Sequence, residues 1–356
     1  MEMPIAASLS APKASGASHF PAREVLLDRA LGVVLGGVLG DALGRDDGGR
    51  WGANTSMTIS MLQSMVEGSD LSTDGERRML VSRWIGWYRR GGQGVDASTL
   101  AVFDRLAELA SGRTSNSGLR DLTGKPWFDA MRTMSEFMGP SGSSGSIARV
   151  TPFVLAYLDP GAESALVEAV TELTGLTHPK TVGEAASLWA LAVRHAIITG
   201  EADTAAVRAQ LEYLPEDGQH AWEEYIDETE QHLRDLSIPL RSDIGRAHVA
   251  VQHALVSLSR GFDVQSTLQA AANWQPPSHA HNPAATARTH PAAIALRSDK
   301  ASVAAIAGQL AGAKYGASSI PTEQIAELHG FPNDMRADDL KRLVDDILER
   351  YDRWYQ

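Results

Sequence analysis

The stretch SDKASVAAIAGQLAGAKYG, from Ser298 to Gly316, most limits what this chain can become. It is built from Ala, Ile, Leu and Gly, with Gly308 and Gly312 four apart, so a helix here has a shaft narrow enough for neighbouring helices to approach closely. Such a helix belongs at the centre of a fold. Asp299, Lys300 and Ser302 lead into it, which predicts a polar cluster at a helix N-terminus. Free N–H groups and the helix dipole favour anionic or metal-bridged ligands at such a place.

The chain has 356 residues, enough to bury a large core without covalent staples, and no cysteine, so disulfides and thiolate metal sites are excluded. Hydrophobic residues make up 43% and charged residues 21%, a globular profile, and no apolar run reaches the roughly 20 residues of a membrane span. A net charge of -12 opposes nucleic-acid binding, which draws on counterion release. The opening MEMPIAASLSAPKASGASHFPAR is rich in Ala, Ser and Pro without periodicity and lacks the apolar core of a secretory signal. It reads as a disordered tail on a cytoplasmic protein.

Ordered structure is expected from Glu24. EVLLDRALGVVLGGVLGDALG is apolar on nearly every side and cut by Gly32, Gly36, Gly37 and Gly40, as suits a buried helix. Next, Asn54, Thr55 and Ser56 are capping residue types ahead of an apolar face of Met57, Ile59, Met61, Leu62 and Met65. Met79, Leu80, Trp84, Trp87 and Tyr88 fall at helical spacing and read as core. SGSSGSIARVTPFVLAYL puts a Gly/Ser loop before a helix, either a linker or a backbone cradle for phosphate. His178 precedes another helix and is a cap, a surface group or a pocket residue. Helical periodicity prevails to the end, and the fold class is all-α.

Several of these segments, taken together, resemble the ADP-ribosylglycohydrolases. That family's C-terminal signature is GGDxDTxAAIAGALAGAxYG; Asp299 matches its first Asp, Ala301 stands where the second belongs, and Ser302 replaces the Thr. Its TDDTxM motif is represented by Gly52, Ala53, Asn54, Thr55 and Met57, which leaves Thr55 and Met57 unchanged. Its GNGSxMRxxPxxLAY loop survives as Gly145, Ser146, Arg149, Pro152, Leu155, Ala156 and Tyr157. Thr177 and His178 match the family's TH, and the opening helix ends in the family's GDALG.

The resemblance implies a compact multi-helix bundle about the Gly/Ala-rich helix, with 24–356 as one domain after a tail over 1–23. It implies two magnesium ions, of whose ligands Asp299 and Thr55 remain, and a loop at Gly145, Ser146 and Arg149 that holds ADP-ribose. His178 would lie on the substrate side, with Asn54 and Ser302 lining the same cleft. No cofactor is expected, and magnesium enters only if that residual site still binds it. Asp46 and Asp47, in a shortened loop, are either acid–base groups or turn residues beside Gly48 and Gly49. Residues 275–297 form an inserted loop with four prolines and three histidines, His279, His281 and His290. It is read as a cover over the cleft, with His290 a ligand contact.

Three readings follow. The first is a metal-independent enzyme acting on a small molecule, with Asp46, Asp47 and Asp299 as catalytic candidates. The second is a silent protein that binds ADP-ribose or a similar nucleotide. The third is an impaired single-metal hydrolase. The expected partner is a small molecule, with no nucleic acid and no membrane.

Overall fold

The computed structural model describes residues 20–44, 48–111, 131, 133, 144–240, 247–273 and 291–355. Among them the chain is all-α apart from one short hairpin. Helix α1 spans Arg23–Leu43, α2 Ala53–Val66, α3 Asp74–Arg89 and α4 Ala97–Ser111. A 3-10 turn at Ser144–Arg149 leads into α5, Thr151–Ala156. Then come α6 (Glu163–Thr174), α7 (Lys180–Thr199), α8 (Thr204–Arg208), α9 (Glu216–Arg234), α10 (Ala247–Arg260) and α11 (Val264–Ala272). The last part holds α12 (Pro291–Tyr315), α13 (Thr322–Glu327), strands β1 (His329–Gly330) and β2 (Met335–Arg336), and α14 (Ala337–Leu348). No described helix is long and apolar enough to cross a membrane.

The centre is an antiparallel pair, α1 against α12, that meets backbone to backbone. A Cβ added at Gly36 would lie 2.1 Å from the Gly308 carbonyl oxygen, and one at Gly308 would lie 2.0 Å from that of Gly36. The contact repeats a turn away on each side, Gly32 against Gly312 and Gly40 against the Ala304 carbonyl. Small residues four apart make one stripe on each helix, so the expected narrow shaft is matched by a second one. Both helices are buried through their middle turns, and α7, α10, α11 and the Ser144–Arg149 turn pack around α12.

Three local expectations change. The helix containing the Gly/Ala run begins at Pro291, so residues 291–297 of the proposed inserted loop are helical. Asp299 and Ser302 thus lie inside the helix, not at its N-terminus. Proline fits the first helical position because its missing N–H has no partner there, and Ala, Ile, Leu and Arg after it are helix formers. Met79 faces solvent at 62% exposure, whereas Leu80, Trp84 and Trp87 are buried as expected. At the start of the chain, Phe20 lies against Tyr355, whose hydroxyl donates to the Pro21 carbonyl at 3.0 Å. Residues 1–19 lie outside the described residues.

Two anchors position the site. Trp51 donates its indole N–H to the Phe331 carbonyl at 3.0 Å, and its backbone N–H bonds His329, so the β-hairpin fixes the entry to α2. Gln309 of α12 accepts from the Trp189 indole at 3.2 Å and donates to the Ala148 carbonyl at 2.6 Å, which ties the Ser144–Arg149 turn to the central helix.

The seam predicts opposite signs for one substitution type. Gly36→Ala must push the central helices apart and should cost about 3 kcal/mol. Gly86→Ala in α3, where the nearest atom to a new Cβ is the end of Arg90 at 3.6 Å, should gain about 0.5–1 kcal/mol. Urea unfolding of the two variants beside the parent reads both.

Candidate functional site

The C-terminal end of α1 carries an acid in a helix of Gly, Ala, Val and Leu. Asp41 is 1% exposed, and its Oδ2 accepts the backbone N–H of Gly52 at 2.9 Å and of Thr55 at 3.0 Å. It therefore caps α2 from another helix. The first N–H groups of a helix have no partner of their own, and a carboxylate there also meets the positive end of the dipole. The cap expected from Asn54, Thr55 or Ser56 is not used, because the helix already begins at Ala53 and its N-cap, Gly52, has no side chain.

Asn54 is thereby free for another task. Its Nδ2 donates to the Ser302 hydroxyl of α12 at 3.1 Å and reaches Asp41 Oδ1 at 3.4 Å. One amide thus joins α1, α2 and α12. Thr55 is buried beside it and lines a cavity of about 20 Å³, room for a single water, together with Thr58, Ala148, Ala305 and Gln309. The Thr58 hydroxyl is buried without a hydrogen-bond partner.

A second polar cluster adjoins the first. Asp96 caps α4, accepting the Thr99 N–H at 2.9 Å and the Thr99 hydroxyl at 2.8 Å. His178 Nε2 stands 3.2 Å from Asp96 Oδ1, while its Nδ1 shares a 2.8 Å hydrogen bond with the Thr177 hydroxyl. Arg149 lies 3.9 Å from Asp96 Oδ2, with its guanidinium over the Trp84 ring and against Met57 Sδ. All three charged or ionisable side chains are inside the protein. Burial alone would raise the Asp96 carboxyl. The charge and hydrogen bond of His178, the Arg149 guanidinium and the Thr99 N–H outweigh it and hold Asp96 far below the usual carboxylate range. Burial lowers the Arg149 guanidinium from its usual value, and Asp96 opposes this.

Gly145 sits between the clusters. A Cβ there would fall 2.8 Å from Asp96 Oδ2 and 3.4 Å from Asn54 Oδ1, so the turn passes only because this residue has no side chain. Its neighbour Ser146 has a buried hydroxyl without a hydrogen-bond partner. Asn54, Thr55, Gly145, Ser146, Arg149, His178 and Ser302, all named from sequence, thus occur in one region formed by α2, α4, α12 and two turns. Asp299 lies in α12 one turn before Ser302, with its side chain outside the described residues. Asp46, Asp47, His279, His281 and His290 lie outside them as well. Trp51, as the anchor of the α2 entry, is structural.

Asp41, Asp96 and Gln309 are the site residues that sequence reading did not single out. Each left a trace. Asp41 is the single charged residue in the apolar stretch from Ala30 to Leu43, Asp96 begins a D-x-x-T capping pattern, and Gln309 interrupts an Ala/Gly run.

The ADP-ribosylglycohydrolase family profile matches residues 22–356. The chain belongs to the ADP-ribosylglycohydrolase family. Among solved structures, it is similar to one titled "ADP-ribosylglycohydrolase-related protein complex", at 21% identity and a TM-score of 0.60, covering 92% of this chain and 99% of that one. At that identity the likeness speaks for the fold. No curated protein matches the sequence.

In this ADP-ribosylglycohydrolase-family chain, Asp96 carries a pH prediction. Its folded carboxyl titrates below the unfolded value of about 3.9, so its stabilisation is complete above that value and is lost as pH falls below it. Asp96→Asn leaves buried Arg149 without its counter-charge and should cost about 3 kcal/mol at neutral pH. Denaturant unfolding at a series of pH values should show that gap closing on acidification below about pH 4.

Proposed function

We propose that this member of the family works without the two magnesium ions its kinship implies, binding an ADP-ribose-like ligand without hydrolysing it by a two-metal route. The observation that carries the reading is the polarity of the Asn54 amide. Magnesium requires oxygen lone pairs in a near-octahedral shell and gives up its own water reluctantly. At the start of α2, Gly52 and Ala53 have no side-chain ligand atom, and Asn54 turns N–H groups toward both Asp41 and Ser302. The Asp41 carboxylate meanwhile accepts from Gly52 and Thr55. Among the described residues, no three His, Asp or Glu side chains converge as a metal set. Among the described side chains, the donor set suits a hydrogen-bonded junction and does not suit a hard dication.

Binding is favoured over a new chemistry because the acid–base groups of the site are engaged with one another. Asp96 orients His178 and neutralises Arg149 while capping α4. Such a trio holds a pocket wall rigid. The proposed contact with ligand is the Gly145–Ser146 turn, whose buried Ser146 hydroxyl has an unmet hydrogen bond. An unsatisfied buried polar group costs about 1–3 kcal/mol, which a ligand oxygen or an ordered water would recover. The ADP-ribose-like ligand follows from family membership together with this retained turn.

Calorimetric titration of ADP-ribose into the full chain, in magnesium and again in chelator, tests this directly. The expected result is the same affinity in both buffers, with no release of ADP-ribose from ADP-ribosylated substrates. Turnover that starts on adding magnesium and stops in chelator would overturn metal independence. No heat in either buffer would overturn the ligand.

A further inference from the structure

The junction of α1, α2 and α12 raises a question that the proposed function leaves open: what holds three helix segments together where the family places cations. We infer that the Asn54 carboxamide replaces a bridging cation as the cross-link of this junction, and that Asn54→Asp would make the fold dependent on a divalent ion. The inference rests on the metal-independent reading and deepens it, by assigning a structural role to one residue.

The geometry gives the reason. A cation joins oxygen-bearing segments because it attracts lone pairs from several directions at once. The Nδ2 group of Asn54 does the same with two hydrogens, one toward Ser302 Oγ at 3.1 Å on α12 and one toward Asp41 Oδ1 at 3.4 Å on α1. The residue is 8% exposed and its partners are 1% exposed, so little water competes for these bonds. The Gly145 turn runs past the oxygen side of the same amide, close enough that a Cβ there would fall 3.4 Å from Asn54 Oδ1. Asn54 is thus held on both sides, with its donors aimed at the two neighbouring helices.

Replacing the amide by a carboxylate reverses its polarity with almost no change in shape. Asp41 and the new acid would then face each other across about the present Asn54–Asp41 separation, with no hydrogen between them. Like charges that close cannot both remain ionised without a counter-ion. The same change supplies what the present donor set lacks: two carboxylates and the Ser302 hydroxyl directed at one point, with the Thr55 side chain at the adjoining cavity. A small divalent cation fits that chemistry.

The test is thermal unfolding of the full-length parent, Asn54→Asp and Asn54→Ala. Each is measured in chelator, in millimolar magnesium, and in sodium chloride matched for ionic strength. The parent should unfold at one temperature in all three buffers. Asn54→Ala should unfold about 2–4 °C lower and ignore magnesium. Asn54→Asp should fall at least as far in chelator and in sodium chloride, and recover most of the loss in magnesium. If it is too unstable to fold in chelator, circular dichroism in magnesium still decides: recovered helicity supports the inference, and continued absence of helicity overturns it. An Asn54→Asp variant as stable as the parent in chelator, or one that magnesium leaves unchanged, would also overturn it. A parent stabilised by magnesium beyond the salt control would instead contradict the metal-independent reading, whichever way the variants behave.

Discussion

The backbone contact between α1 and α12 is the constraint on which the rest of the protein depends. Where two helices meet without intervening side chains, their separation is fixed by main-chain atoms, and the register cannot slip without driving a Cβ into a carbonyl. That register brings the C-terminal end of α1 beside the segment of α12 that carries Ser302. Gly44, just past the end of α1, already touches the Ala301 backbone. Asp41 and Ser302 are then near enough for a single side chain from α2 to reach both. The candidate site is a consequence of the seam.

Above the seam, each wall of the region is held by a polar group doing a structural task. Asp41 closes the N-terminus of α2, Asp96 closes that of α4, and Gln309 fastens the Ser144–Arg149 turn to α12. Arg149 and His178 are oriented by Asp96, so the cluster behaves as one buried unit in which no member can be removed cheaply. The rigidity of such a unit suits a pocket whose shape is set before a ligand arrives. Among the described residues, the buried Ser146 and Thr58 hydroxyls are two places where this region has hydrogen-bonding capacity left.

Much of the fold was legible because burial leaves local marks. Glycines four apart in apolar runs marked both central helices, and the Trp84–Trp87 spacing marked the inner face of α3. What could not be read was which stripe meets which, since the register of segments nearly 300 residues apart is not written in either one alone. The same limit explains the α2 cap: Asn54 and Thr55 have capping chemistry, but the capping group comes from Asp41 on a different helix. Residues 291–297 follow a stretch rich in proline and histidine that reads as loop, yet Pro291 and the Ala-rich sequence after it start a helix. The motif positions converge on one polar region, whereas the groups that hold them there, Asp41, Asp96 and Gln309, come from segments whose proximity no local pattern records.

Three helix segments that the family resemblance would join through metal are joined here by an amide, a carboxylate and a hydroxyl. The most direct measurement is a crystal structure of the full chain grown in manganese, with anomalous scattering collected to locate the ion. The account predicts Asn54 bonded to Ser302 and Asp41, with no anomalous peak between the first turn of α2 and α12. A peak there, with the Asn54 amide turned away and Asp41 coordinating the ion, would contradict it.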